Sequence, residues 1–93
     1  MNIIDRSYSD LDDIEKRVVE FRIGVSDRIK FLMEKNNMTQ AELARRSNMT
    51  LSGIRRLILC EYSTTFTAIS KLEKVFGEKI LYTYDDIRSK QIY

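Results

Sequence analysis

The sequence has no proline and no histidine, and only one cysteine and three glycines in 93 residues. With so few built-in breaks it suits a mostly helical fold with short loops, and it does not read as a flexible linker protein. The lone Cys60 excludes an intrachain disulfide and leaves a buried, reduced thiol as the default. Catalysis has little to build on without histidine, Cys-x-x-Cys, a glycine-rich phosphate loop or a nucleophile elbow. The carboxylate pairs Asp12-Asp13 and Asp85-Asp86 each have a capping or turn role instead. A non-enzyme without cofactor or metal is therefore expected. No apolar run approaches the roughly 20 residues that cross a bilayer. Early acids at Asp5, Asp10, Asp12 and Asp13 leave no basic-then-apolar leader. A cytoplasmic protein without a membrane partner is the expectation.

What is present is one domain's worth of chain, 43% hydrophobic, with a net charge of +2. That charge is unevenly placed. Residues 1–25 carry Arg6, Lys16, Arg17 and Arg22 against Asp5, Asp10, Asp12, Asp13, Glu15 and Glu20, a net −2, so residues 26–93 hold +4. From Arg45 to Arg56 there are four arginines and no acid. A cluster of this kind is most often a solvated helix face, and Arg45 and Arg46 also suit a helix C-terminus.

Thr39–Leu59, TQAELARRSNMTLSGIRRLIL, reads as two short helices joined by a tight turn. Thr39 is an N-cap with Glu42 at capping-box spacing, and Met38 can staple toward Leu43. Ser47-Asn48 interrupts the pattern, and asparagine tolerates the left-handed end of a helix. Thr50 opens a second helix with Ile54, Leu57 and Ile58 on one face and Arg55 and Arg56 on or beside the other. Two capped helices, a short turn and arginines on the second helix make a DNA-reading helix-turn-helix the first hypothesis.

Around that unit, Met1–Tyr8 shows no period and reads as a loose arm. Ser9 is expected to cap a helix with Asp10, Asp12 and Asp13 in its first turn, and Leu11, Ile14, Val18 and Phe21 form its apolar face. A helix from Val25 or Ser26 to Lys35 follows, separate from the first or continuous with it through Gly24, with Ile29, Leu32 and Met33 inward. Asn36-Asn37 ends it. Thr64 or Thr65 caps a helix with Phe66, Ile69, Leu72, Val75 and Phe76 as its apolar set, ended by Gly77. The methionines and phenylalanines are expected in the core. Ile80-Leu81-Tyr82-Thr83-Tyr84 has the β-branched and aromatic composition of a strand, with Asp85-Asp86 ending it or opening a short final turn. A lone strand has nowhere to pair. Pairing with a second copy, with a partner protein, or with Lys90–Tyr93 would resolve that. Tyr82 and Tyr84 read as interface or packing residues.

Thr39-Gln40-Ala41-Glu42-Leu43-Ala44, then Asn48-Met49-Thr50, then Ile54, resembles the Cro/C1-type (XRE) helix-turn-helix family over about Asp27 to Gly77. The resemblance implies a mainly α fold, a five-helix lambda-repressor-like domain. To it this chain adds an N-terminal helical extension and a short C-terminal β-strand. Residues 1–25 are expected to form the arm and acidic helix, 26–78 the helix-turn-helix domain, and 79–93 a strand and tail that is a candidate dimerisation element. By position it places Thr39 and Gln40 at a DNA phosphate. Thr50, Leu51, Ser52, Gly53, Arg55 and Arg56 go in or near the major groove, and Ser63 and Thr64 at the backbone. Three positions depart from the pattern. Asn48 stands where glycine is usual. Met33 and Ile58 replace an arginine–glutamate pair with apolar groups, a swap that can be neutral or stabilising. Leu51 and Gly53 stand where long polar readers are common.

Two functions follow from the resemblance. One is a repressor that binds a short palindromic operator in double-stranded DNA as a homodimer. The other is an antitoxin that neutralises a cognate toxin protein and represses its own operon, motivated by the acidic helix Ser9–Glu20. No effector pocket is legible in the sequence.

Overall fold

The computed structural model describes residues 8–91. Apart from Tyr8, the arm expected at Met1–Tyr8 lies outside them, as do residues 92–93 of the proposed C-terminal hairpin. A 3-10 turn at Tyr8–Asp10 leads into five helices: α1 Asp13–Lys35, α2 Gln40–Ser47, α3 Leu51–Ile58, α4 Phe66–Phe76 and α5 Tyr84–Gln91.

The N-terminal expectation needs two corrections. Ser9 lies in the 3-10 turn, and Asp12 is the cap, its carboxylate accepting from the Glu15 amide at 2.7 Å. Asp12 competes better because Asp13 and Glu15 then fall in the first turn, where they favour the helix dipole. Of the apolar face, only Leu11 is buried. Ile14 is 77% exposed and Phe21 54%. Beyond Gly24 the helix does not break, so the 23 residues of α1 form a single rod.

The core gathers Val25, Ile29 and Leu32 of α1, Leu43 and Ala44 of α2, Ile54 and Leu57 of α3, and Ile69, Leu72 and Phe76 of α4. Met38 and Ile80 close its ends. Burial of each large member contributes about 1.5–3 kcal/mol. Met33 and Ile58 both pack against this core, as their apolar character suggests. The phenylalanines are a correction. Phe76 is buried, whereas Phe21 and Phe31 are each 54% exposed and Phe66 is 82% exposed. Phe66 is the first residue of α4, and the next inward positions are Ile69 and Leu72, so its ring projects beyond the packed stretch.

Three successive helices end with a non-glycine residue in the left-handed region: Asn37 (φ 51°), Asn48 (φ 57°) and Cys60 (φ 60°). Each forms a Schellman motif. Met38 N donates to Met33 O, Met49 N to Ala44 O, and Glu61 N to Arg56 O, at 2.9–3.0 Å. Only α4 ends on glycine, at Gly77.

The expected C-terminal strand is absent, and no strand occurs among the described residues. The Ile80 and Leu81 amides, which a strand would have offered a neighbour, donate to Glu73 Oε2 at 2.7 and 3.1 Å. Thr83 then caps α5 reciprocally with Asp86. The Asp86 amide donates to Thr83 Oγ1 (3.2 Å), and the Thr83 amide donates to Asp86 Oδ2 (2.9 Å). Arg28 Nε donates to Lys79 O, and Glu78 pairs with both Lys35 (2.7 Å) and Arg28 (3.7 Å), which ties this segment back to α1. The Lys35 hydrogen bond holds the Glu78 carboxyl below its ordinary range.

Candidate nucleic-acid interface

The helix-turn-helix is α2, the Asn48 turn and α3. Both caps form as expected. Thr39 Oγ1 accepts from the Glu42 amide (3.1 Å), and Thr50 Oγ1 accepts from the Gly53 amide (2.9 Å). Asn48 adopts the left-handed conformation that glycine would otherwise supply. Ser47 is buried, and its hydroxyl donates to Leu43 O at 2.7 Å, so its polar group costs the core nothing. α2 packs against α3 and α4, while α1 packs against α3. A further tie is the buried Ser26, whose hydroxyl donates 2.6 Å to Ile58 O near the end of α3. The orientation of α3 is thus set from behind by apolar packing and one part-buried hydrogen bond.

α3 is divided sharply between two faces. Ile54 and Leu57 are buried, while Thr50, Ser52, Arg55 and Arg56 are exposed. Among the described residues Arg55 has no ion-pair or ring partner. Arg56 lies 4.9 Å over the Tyr62 ring, with its Nε 3.8 Å from Glu61 Oε2. One arginine is therefore free and its neighbour is held. Leu51 is half-buried and packs on the core, so little of it faces outward. A Cβ at Gly53 would stand 3.0 Å from Thr50 Oγ1, tight against the cap oxygen. The Gly53 carbonyl also accepts from the Tyr62 hydroxyl at 3.3 Å. This glycine serves the start of the helix itself.

Gln40 is the first residue of α2 and is half-exposed beside the capped N-terminus, with exposed Thr39 preceding it. Amides at such an end favour a phosphate. The connection to α4 is arranged differently from the simple polar loop that the sequence suggests. Ser63 Oγ accepts from both Nε (3.2 Å) and Nη2 (3.0 Å) of Arg22. Thr64 Oγ1 is buried, and Thr65 caps α4. Sequence reasoning missed Arg22, Tyr62 and a basic cleft formed by Arg46, Lys71 and Lys74 beside Asn48. None has a local signal, because each partner is brought in by the tertiary fold. Arg45, on the exposed side of α2, reaches Glu42 at 4.0 Å.

Two short capped helices, the second with a buried apolar face and an exposed cationic one, define a helix-turn-helix DNA-binding architecture. Comparison with protein families agrees. The model described as Helix-turn-helix matches residues 29–82. The chain belongs to the Cro/C1-type (XRE) helix-turn-helix family. Membership points to a DNA-binding transcription regulator. Comparisons with curated proteins and with solved structures return no match. Among the described residues no helix is long and apolar enough to cross a membrane.

Proposed function

We propose that the protein is a cytoplasmic, non-enzymatic repressor that binds a short, near-palindromic operator as a homodimer. The division of α3 carries this reading: Ile54 and Leu57 lock the helix to the core, and Ser52, Arg55 and Arg56 stand outward. In the bound state α3 lies in the major groove. Arg55, unengaged, grips a guanine edge, and Arg56, stiffened by Tyr62 and Glu61, reads beside it. Gln40 and the α2 N-terminus, with Thr39 as cap, sit on a phosphate, and Ser63 adds a backbone contact. A mobility shift on the DNA upstream of the gene, at two salt concentrations, tests the assignment. Arg55→Ala should cost about 1–3 kcal/mol and relax base preference. Unchanged affinity after Arg55→Ala combined with Arg56→Ala would remove α3 as the reading helix.

The dimer no longer has a strand to form through. What supports it is α5, whose Tyr84 (76% exposed) and Ile87 stand exposed among the described residues. Two copies meeting there would form a symmetric dimer, as binding to a near-palindromic operator requires. Tyr84→Asp with Ile87→Asp should convert a dimer to a monomer in sedimentation velocity. A dimer that persists would move the interface elsewhere.

The antitoxin reading rests on a different observation. The acidic stretch Ser9–Glu20, with Asp10, Asp12, Asp13, Glu15 and Glu20 against Lys16 and Arg17, holds Ile14 out to solvent and leads into the exposed Phe21, a surface suited to a basic partner protein. It requires a small basic protein encoded beside this one, harmful when expressed alone and harmless when co-expressed. A harmless neighbour would end that reading.

A further inference from the structure

Behind the reading unit lies a groove of about 570 Å³ between α1, the connection from α3 to α4, and α4 itself. This volume falls in the range of small-molecule sites. Its walls are mostly apolar, with Val18, Phe21, Val25, Phe66, Ile69 and Leu81 contributing. Phe66 and Phe21 stand largely exposed at this groove. Within the apolar lining is one cation. Arg22 spends Nε and Nη2 on the Ser63 hydroxyl, which fixes the guanidinium plane but supplies no counter-charge. Its Nη1 is buried and has no partner among the described residues, and neither has the buried Thr64 Oγ1. Both residues line the groove.

A buried donor on a cation without an acceptor is costly, and natural folds seldom leave one. The carboxylate in this lining, Glu73, turns Oε2 to the Ile80 and Leu81 amides and makes no ion pair with Arg22 among the described residues. An anionic acceptor attached to an apolar body would satisfy both groups and match the walls around them. We propose that the groove binds an amphiphilic monocarboxylate, an aliphatic or aryl acid. Its carboxylate accepts from Arg22 Nη1 and the Thr64 hydroxyl, and its hydrocarbon lies along the apolar walls. The exposed rings of Phe21 and Phe66 turn to admit it. The ligand would touch the Ser63-Thr64 connection between α3 and α4, so it sits next to the reading unit without occupying the DNA face.

Isothermal titration of the full chain with decanoate and with decanol, both below micelle-forming concentrations, tests this. Decanoate should bind saturably, one per chain, at least tenfold more tightly than decanol. Arg22→Gln should lower decanoate affinity at least tenfold and leave decanol unchanged. Thr64→Val should weaken decanoate several-fold. Phe66→Glu, at a site 82% exposed and so harmless to folding, should repel the anion at least tenfold. Equal affinity for acid and alcohol, non-saturating uptake, or no binding would overturn the proposal. No binding counts equally if sedimentation shows a second copy covering the groove. Should Arg22→Gln lose helicity, unchanged decanoate affinity in both Thr64→Val and Phe66→Glu would overturn it alone.

Discussion

Asn48 shows how one residue sets the geometry of the whole helix-turn-helix. Its φ of 57° reverses the chain between α2 and α3, and its amide satisfies carbonyls at the end of α2. An L-residue with an ordinary Cβ loses about 1–2 kcal/mol in that conformation, and asparagine loses less. Asn48→Ala should therefore lower stability by about 1 kcal/mol, read as a fall in the urea midpoint at constant slope. Asn48→Gly should leave the midpoint nearly unchanged, because relief of strain is offset by a more flexible unfolded chain. At this scale the sequence was largely legible. Thr39, Thr50, Thr65 and Asn48 act through neighbours three or four residues away, which a linear reading can see. Arg22–Ser63, Tyr62–Gly53 and Glu73–Ile80 join residues with no sequence relation, and nothing local announces them.

Among the elements, α5 is the one whose local signals conflicted. Ile80-Leu81-Tyr82 has strand composition, yet its first two amides are taken by Glu73 Oε2 and cannot join a ladder. The Thr83-x-x-Asp86 spacing then starts a helix, a capping signal outweighed at the sequence level by the β-branched and aromatic run. The same carboxylate makes α5 sensitive to acid. The Lys79 hydrogen bond, aided by the Thr83 amide, depresses the Asp86 pKa to about 2. An unfolded aspartate titrates near 3.9. The folded state thus gains from this group above about pH 4, and that gain is lost as pH falls from about 4 to 2. NMR titration should place the Asp86 carboxyl near pH 2, with α5 amide shifts moving in the same window. Asp86→Asn should abolish that movement and leave α5 frayed at neutral pH. A carboxyl titrating near 4 would refute the coupling.

For the molecule as a whole, the question is what holds α1 against the reading unit. Apolar packing of Val25, Ile29 and Leu32 does most of it, and the Ser26 hydroxyl on Ile58 O adds direction. Ser26→Ala leaves the position small but removes the hydroxyl donor from a part-buried carbonyl, Ile58 O. The expected loss is about 0.5–1.5 kcal/mol by urea denaturation. If Ser26 only fills space, the loss should be negligible. The exposed Ile14, Phe21 and Phe66 belong to this scale too. Periodicity marked them as apolar, but the described residues leave them largely exposed.

The unbroken run of α1 through Gly24 has a mechanical consequence. At 1.5 Å per residue its 23 residues make a rod about 34 Å long. Its buried anchors, Val25 to Leu32, all lie in the second half. The first half is a cantilever with Ser26 near the fulcrum. Any force on the acidic tip is delivered as torque to the far end of α3 through the Ser26–Ile58 hydrogen bond, so a load applied at the tip reaches that helix without passing through its exposed face.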